Sequence, residues 1–303
     1  MQSGVYIARA GVYLLTIGPA SATQRLAEVS GVSTSVAPCN SKYKADGVQF
    51  RLVQLDLTLA ELGDVNHLRN LVAYKCFGVA DWAADVTDPF GTHSGGHGLI
   101  DQLHAAQTIT GCEVPLAVLY WTATDGVVFV DVWSVRRALV SKDLLDTWAP
   151  GAGRRRFVEG LATFLQFQQQ LNDLARSAPA INPLSVKVTD YFRYLPASGL
   201  LPIGNVTGDG FDYLQFLSGR TYRNPVFMDG TRVERLIHTS FLYPAIDLSN
   251  QEMLWLYQVR ENQQSFDSGA NQPQLYMVFA NGHIPFQGEA QYDLSYWNYA
   301  NFV

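Results

Sequence analysis

The chain is short of charge. Asp, Glu, Lys and Arg make up 16% of its 303 residues, against about 25% in an average soluble domain. A surface so poor in charge is covered by Ser, Thr, Asn, Gln, Gly and aromatics. That suits extended contact with other protein, because interface cores are depleted in Lys, Glu and Asp. The net charge of −6 argues against a general nucleic-acid binder, whose affinity rests on cations facing phosphate. Long hydrophobic runs are missing as well, none approaching the ~18 residues of a membrane span. Gly11–Ile17 followed by Pro19–Ala22 has the outline of a secretion signal. The run is short and only Arg9 flanks it with positive charge, so a cytoplasmic location is expected.

Cysteine is scarce. Cys39, Cys76 and Cys112 are far apart and odd in number, with no CxxC pair. This excludes a disulfide framework and a zinc ribbon, and reads as reduced, mostly buried thiols. Catalytic signatures are also absent. There is no G-x-S-x-G elbow, no P-loop and no G-x-G-x-x-G after a strand. Asn205–Asp212 carries side-chain oxygens but not the ligand spacing of a calcium loop, so it reads as a polar turn.

What the chain does have is a dense apolar segment at 114–135. Val114–Trp121 and Val127–Val135 are two apolar runs joined by Thr122–Gly126, which ends in Asp-Gly. That pattern predicts a β-hairpin. Apolar side chains at odd and even positions predict a central hairpin with both faces covered. Val5–Ile17 reads as one or two strands and Ala20–Pro38 as loop or irregular strand. In Val48–Leu59, Val53, Leu55, Leu57 and Leu59 alternate with Gln54, Asp56 and Thr58. Phe50 and Leu52 fall out of that phase, which predicts a bulge near Leu52–Val53.

Helical spacing appears over Asp64–Lys75 and Leu99–Ala106. It is clearest over 154–176, where Phe157, Leu161, Phe164, Leu165, Leu171 and Leu174 form an apolar stripe. Arg232–Thr239 reads as a short helix, and Met253–Val259 and Leu275–Ala280 as strands. The expected fold is α+β: a mixed or antiparallel sheet around the hairpin, with one long amphipathic helix. A division into 1–183 and 184–303 is expected, with a single unit as the alternative.

Three groups of residues are candidates for function. His93 and His97 are four apart, with His104, Asp101 and Asp88 nearby. That is metal-ligand spacing on a helix, but Gly95-Gly96 between them disfavours a helix, so a solvated loop is the expectation and no metal or cofactor is assigned. Arg136, Arg137, Arg154, Arg155 and Arg156 bracket the approach to the long helix. Three arginines at a helix N-terminus oppose its dipole, so carboxylates of this chain or of a partner should answer them. Tyr292, Tyr296, Trp297, Tyr299 and Phe302 crowd the last twelve residues alongside a single charge. Such a segment packs on its own domain or docks on a neighbouring subunit.

Several stretches carry a resemblance. They are Val114–Thr122, Phe129–Arg137, Tyr194–Pro202, Tyr243–Leu248, Met253–Asn262 and Val278–Phe286. Spread over 98–290, they resemble a family of bacterial proteins encoded alongside extracellular contractile injection systems, the phage-tail-like particles. The resemblance implies a non-enzymatic structural or accessory subunit whose partners are other subunits of a multiprotein particle, with no nucleic acid. It carries over no catalytic residue and says nothing of membrane contact. Two other readings compete: a metal-dependent enzyme or binding protein using His93, His97 and His104, and a carbohydrate-binding module with exposed Tyr and Trp.

Overall fold

A computed structural model describes residues 9–26, 41–78, 98–135, 152–177, 180–203, 210–217, 225–250, 253–259 and 275–284. Its elements bear out the α+β expectation. Two four-stranded sheets, one antiparallel and one mixed, are joined by helices.

The first sheet comprises β1 (Gly11–Leu26), β2 (Ser41–Gln54), β3 (Val114–Thr122) and β4 (Gly126–Asp131), in the order β2-β1-β3-β4. Helices α1 (Leu59–Gly63), α2 (Val65–Phe77) and α3 (Leu99–Ala105) lie between β2 and β3 in sequence. The 114–135 hairpin forms as expected, with Gly126 at φ 71° closing its turn. Its place differs from the expectation. β3 is interior, but β4 is an edge among the described strands, and Val127, Val128 and Val130 are exposed. Apolar residues at both parities therefore mark one core face and one open face.

β1 and β2 are also not what alternation suggested. Their pairing keeps one register from Tyr13↔Gln54 to Leu26↔Ser41, so no bulge lies at Leu52–Val53. Phe50 and Leu52 belong to the opposite face from Val53. The register shifts fall at Leu15/Thr16 against β3 and at Tyr120/Trp121 against β4. Strand β1 runs on through Ala20-Ser21-Ala22 to Leu26, the strand alternative for the start of the segment read as loop or irregular strand. Its small residues are held by main-chain pairing to β2 rather than by side-chain packing. Strand β2 ends at Gln54, and the apolar alternation to Leu59 is broken by a helix start. Thr58 caps α1 by accepting from the Glu61 amide, while Glu61 accepts from the Thr58 amide. This Thr-x-x-Glu box leaves Leu59 88% exposed.

Helix α4 (Ala152–Arg176) is followed by two short 3-10 turns, Pro183–Ser185 and Val188–Asp190. The remaining elements are β5 (Tyr194–Leu195), β6 (Ser198–Ile203), α5 (Tyr213–Leu217), β7 (Val226–Met228), α6 (Gly230–Ser240), β8 (Ile246–Asp247), β9 (Leu254–Val259) and β10 (Leu275–Asn281). The second sheet has the order β6-β10-β9-β7, parallel only at β7–β9.

Alternation along β10 sends Met277 and Phe279 to one side, where they meet Phe167, Leu171 and Leu174 of α4. Val278 and Ala280 go to the other side, against Val233 and Leu236 of α6. This sheet, not the hairpin, is the one covered on both faces. The buried side of α4 is wider than the expected stripe and includes Phe167, Gln166 and Gln170. Gly199 is required here, since a Cβ would stand 2.4 Å from the Phe279 ring. The long helix thus shares its core with 183–279.

Helix α2 joins the two halves. Leu68, Val72 and Cys76, four apart, enter the core of the first sheet. Ala73, Tyr74 and Phe77 turn the other way, onto Ala162, Tyr194 and Ala245. Tyr74 stacks on Tyr194 at 5.2 Å between ring centroids, and burial pushes its phenol pKa up.

Between these faces sits Asn70, fully buried. Its Oδ1 accepts from the amides of Arg193 and Tyr194 at 2.9 Å each, and its Nδ2 donates to the Tyr194 carbonyl at 3.0 Å. Arg69 donates to Asp131 at the end of β4 and to Asp173 of α4. His67 Nε2 donates to the Thr189 carbonyl at 2.8 Å. Truncating Asn70 removes the side-chain partner of three main-chain groups at a part-buried junction. Asn70→Ala should therefore lower unfolding free energy by about 2–4 kcal/mol, measured by denaturant titration. A loss below ~0.5 kcal/mol, the range of an ordinary surface change, would show that the clamp does not hold the halves together.

Candidate contact surface

Directly paired residues of an antiparallel sheet share a face. On the inner face of the first sheet, Val12, Leu14, Val53, Val118 and Tyr120 meet α2 and α3. The outer face is built from the alternate residues in three cross-strand rows. These are Phe50–Ile17–Val114, Leu52–Leu15–Ala117 and Gln54–Tyr13–Leu119–Val130.

The middle of this face is covered, since Tyr13 and Ala117 are buried. Its flanks are open. Val48, Phe50 and Leu52 of β2 are 63%, 62% and 45% exposed, and Val114, Val128 and Val130 are exposed too. With half-buried Leu15 and Ile17, the β2 flank leaves roughly 350–400 Å² of apolar side chain in the open, within the ~300–600 Å² range of the largest, often functional, patch on a monomer.

Past Ile17↔Val114, β1 has no β3 neighbour, and among the described residues Gly18–Leu26 pairs with β2 alone. This two-stranded ribbon extends roughly 30 Å from the sheet at ~3.3 Å per residue. Pro19, Ser21, Ala22, Lys44, Asp46 and Gly47 along it are exposed. An isolated two-stranded ribbon is marginal in water.

The base of the ribbon is held by charge. Glu113, buried just before β3, accepts from the Thr110 amide at 2.8 Å, from Arg51 Nη1 at 2.5 Å and from Thr16 Oγ1 at 3.3 Å. The Thr110 amide, then the Arg51 guanidinium and the Thr16 hydroxyl, hold its carboxyl below the ordinary value of 4.5 despite burial. A carboxyl depressed on folding stabilises the fold above its unfolded pKa, and that contribution is lost as pH falls through the folded value.

The residues singled out from sequence are placed as follows. Arg136, Arg137, His93, His97, Asp88, Tyr292, Tyr296, Trp297, Tyr299 and Phe302 lie outside the described residues. Arg154, Arg155 and Arg156 fall on the first turns of α4, their side chains outside the described set. His104 is in the last turn of α3 and Asp101 in its first. Among the described residues no three His, Cys, Asp or Glu side chains group as metal ligands. Of the polar turn expected over Asn205–Asp212, residues 205–209 lie outside the described residues; Asp212 accepts from the Leu214 and Gln215 amides at the start of α5. Cys76 is buried, but Cys112 is exposed, against the expectation of a buried thiol.

A cavity of about 60 Å³ lies beside Gly78, lined by Glu159, Thr163, Ser240 and Tyr243 among others. That is room for about two waters. Ser240 Oγ is engaged with Ser198 Oγ at 2.6 Å and with the Ile237 carbonyl.

The apolar flanks went unrecognised in the sequence, although the phase break at Phe50 and Leu52 was their signal. Among the described residues no helix is long and apolar enough to cross a membrane. Comparison with protein-family models, curated proteins and solved structures finds no match.

Glu113→Gln should cost about 1.5–3 kcal/mol at neutral pH, the worth of hydrogen bonds to a charged group. The wild-type advantage should shrink as pH falls below 4.5. Paired thermal melts from pH 7 to pH 3 measure it, and a gap independent of pH would contradict the ion-pair assignment.

Proposed function

We propose that this chain is a non-enzymatic structural or accessory subunit of a phage-tail-like contractile injection particle, at the baseplate or another peripheral layer. It acts by protein–protein contact through the outer face of its first sheet. One observation carries the reading: Val48, Phe50, Leu52, Val114, Val128 and Val130 stand exposed on a single sheet face. Antiparallel sheets commonly bury one face and turn polar residues outward on the other. Here the outward positions are apolar over four strands, and a solvated ribbon extends from the same sheet. Large exposed apolar patches mark interaction sites. The low charge of the chain and its resemblance to contractile-injection proteins point to other particle subunits as the partners.

The test substitutes Val114, Val128 and Val130, all away from the β2 edge, together with Lys and follows the chain into particles purified from a strain that carries the system. The expected outcome is loss of at least ~90% of incorporation, as for removal of apolar anchors from an interface core. The melting temperature should hold, since these side chains are already in water. Undiminished incorporation of the triple variant, or absence of the wild-type chain from intact particles, would contradict the proposal.

A further inference from the structure

We propose that the outer edge of β2 pairs with the β2 edge of a second copy of this chain, antiparallel about a two-fold axis centred on Phe50. Among the described strands β2 is terminal in its sheet, with β1 its one neighbour. It carries no proline, and its pairing with β1 has no register shift. Those are two of the usual devices that protect an exposed edge. The charges β2 does carry are Lys42, Lys44 and Asp46 toward its start and Arg51, which is tied to Glu113. Around Phe50, therefore, the row of amides and carbonyls can template another strand.

The side chains specify which strand. The outward positions read Lys44, Asp46, Val48, Phe50, Leu52, Gln54 and, just past the strand, Asp56. Antiparallel pairing about a two-fold normal to the sheet requires that this row match its own reverse. Centred on Phe50, it does. Phe50 faces Phe50, Val48 faces Leu52, Asp46 faces Gln54, and Lys44 faces Asp56 of the second copy, each pair occurring twice. No like charges oppose one another, and every apolar residue meets an apolar one. A centre on Val48 would set Asp46 against Phe50 and Lys44 against Leu52. A centre on Leu52 would set Asp56 against Val48. On the inward side Arg51 is drawn to Glu113, which leaves it clear of the junction. The pairing turns the two sheets into one of eight strands and brings both open β2 flanks together. It deepens the reading of this sheet as a contact surface, while entry into a particle is measured separately.

The experiment takes the full chain through sedimentation at several concentrations, alongside four variants. The wild type should be a dimer. Asp56→Lys, which sets Lys44 against a like charge, should raise the dissociation constant by roughly tenfold, and the swap Lys44→Asp/Asp56→Lys should restore it.

Under mild oxidation Phe50→Cys should form a covalent dimer. Opposed Cα atoms lie ~4.5–5.5 Å apart, within disulfide reach. Val48→Cys should not, because its two copies lie ~13 Å apart in this register. The wild type, with its own exposed Cys112, is the control.

A wild-type monomer overturns the proposal. If the Phe50→Cys thiol is then shielded from reagent, a segment of this chain covers the edge; if it is reactive, the edge is free. A dimer that Phe50→Cys fails to cross-link also overturns it, by placing the interface elsewhere. In each case particle incorporation of the wild type remains a separate readout, so the two failures are told apart.

Discussion

The structure turns on one buried amide. The buried side chain of Asn70 offers a donor and an acceptor to a main chain more than a hundred residues away, accepting two hydrogen bonds there and donating one. Unmade, those bonds would leave the buried Asn70 amide without partners, which is costlier than their net gain when made. The polar clamp is therefore a matter of specificity more than of net stabilisation. Only one seating of α2 against residues 193–194 satisfies it, and that seating fixes where the first sheet stands against the second. Arg69, shared between Asp131 and Asp173, repeats the logic one residue earlier on the helix.

A consequence follows for the surface. Helix α2 spends both its faces on interior contacts, one on the first sheet and one on Ala162 and Tyr194. Together with α3 it covers the inner face of the first sheet. Among the described elements no helix lies across the β2 flank of the outer face. The second sheet, by contrast, is enclosed between α4 and α6. The two sheets are similar in strand number but opposite in exposure, and the exposed one carries the ribbon.

Element type was largely legible in the sequence. The 3.6-residue stripe of α4, the Asp-Gly turn of the hairpin and the apolar runs of β9 and β10 all declare themselves locally. Exposure did not. An apolar residue at every position reads the same for a strand covered on both faces, such as β10, and for one open on a face, such as β4. Only the neighbouring elements decide which it is. Likewise Phe50 and Leu52 announced a change of phase, and a bulge was the conventional account of it. The structure shows the simpler arrangement, two apolar faces, one of them open among the described elements. Asn70 gave no signal at all, because its partners are remote in sequence and its role is visible only once they meet.

The central claim is that the outer sheet face is covered by protein other than this chain's own described elements. Side-chain footprinting with a small solvent-borne label, at Val114, Val128 and Val130, away from the β2 edge, tests it most directly. These residues should label readily in the purified chain and become protected, by roughly tenfold, in the assembled particle, as the core of an interface does. Equal labelling in both states, or protection already present in the purified chain, would contradict the account.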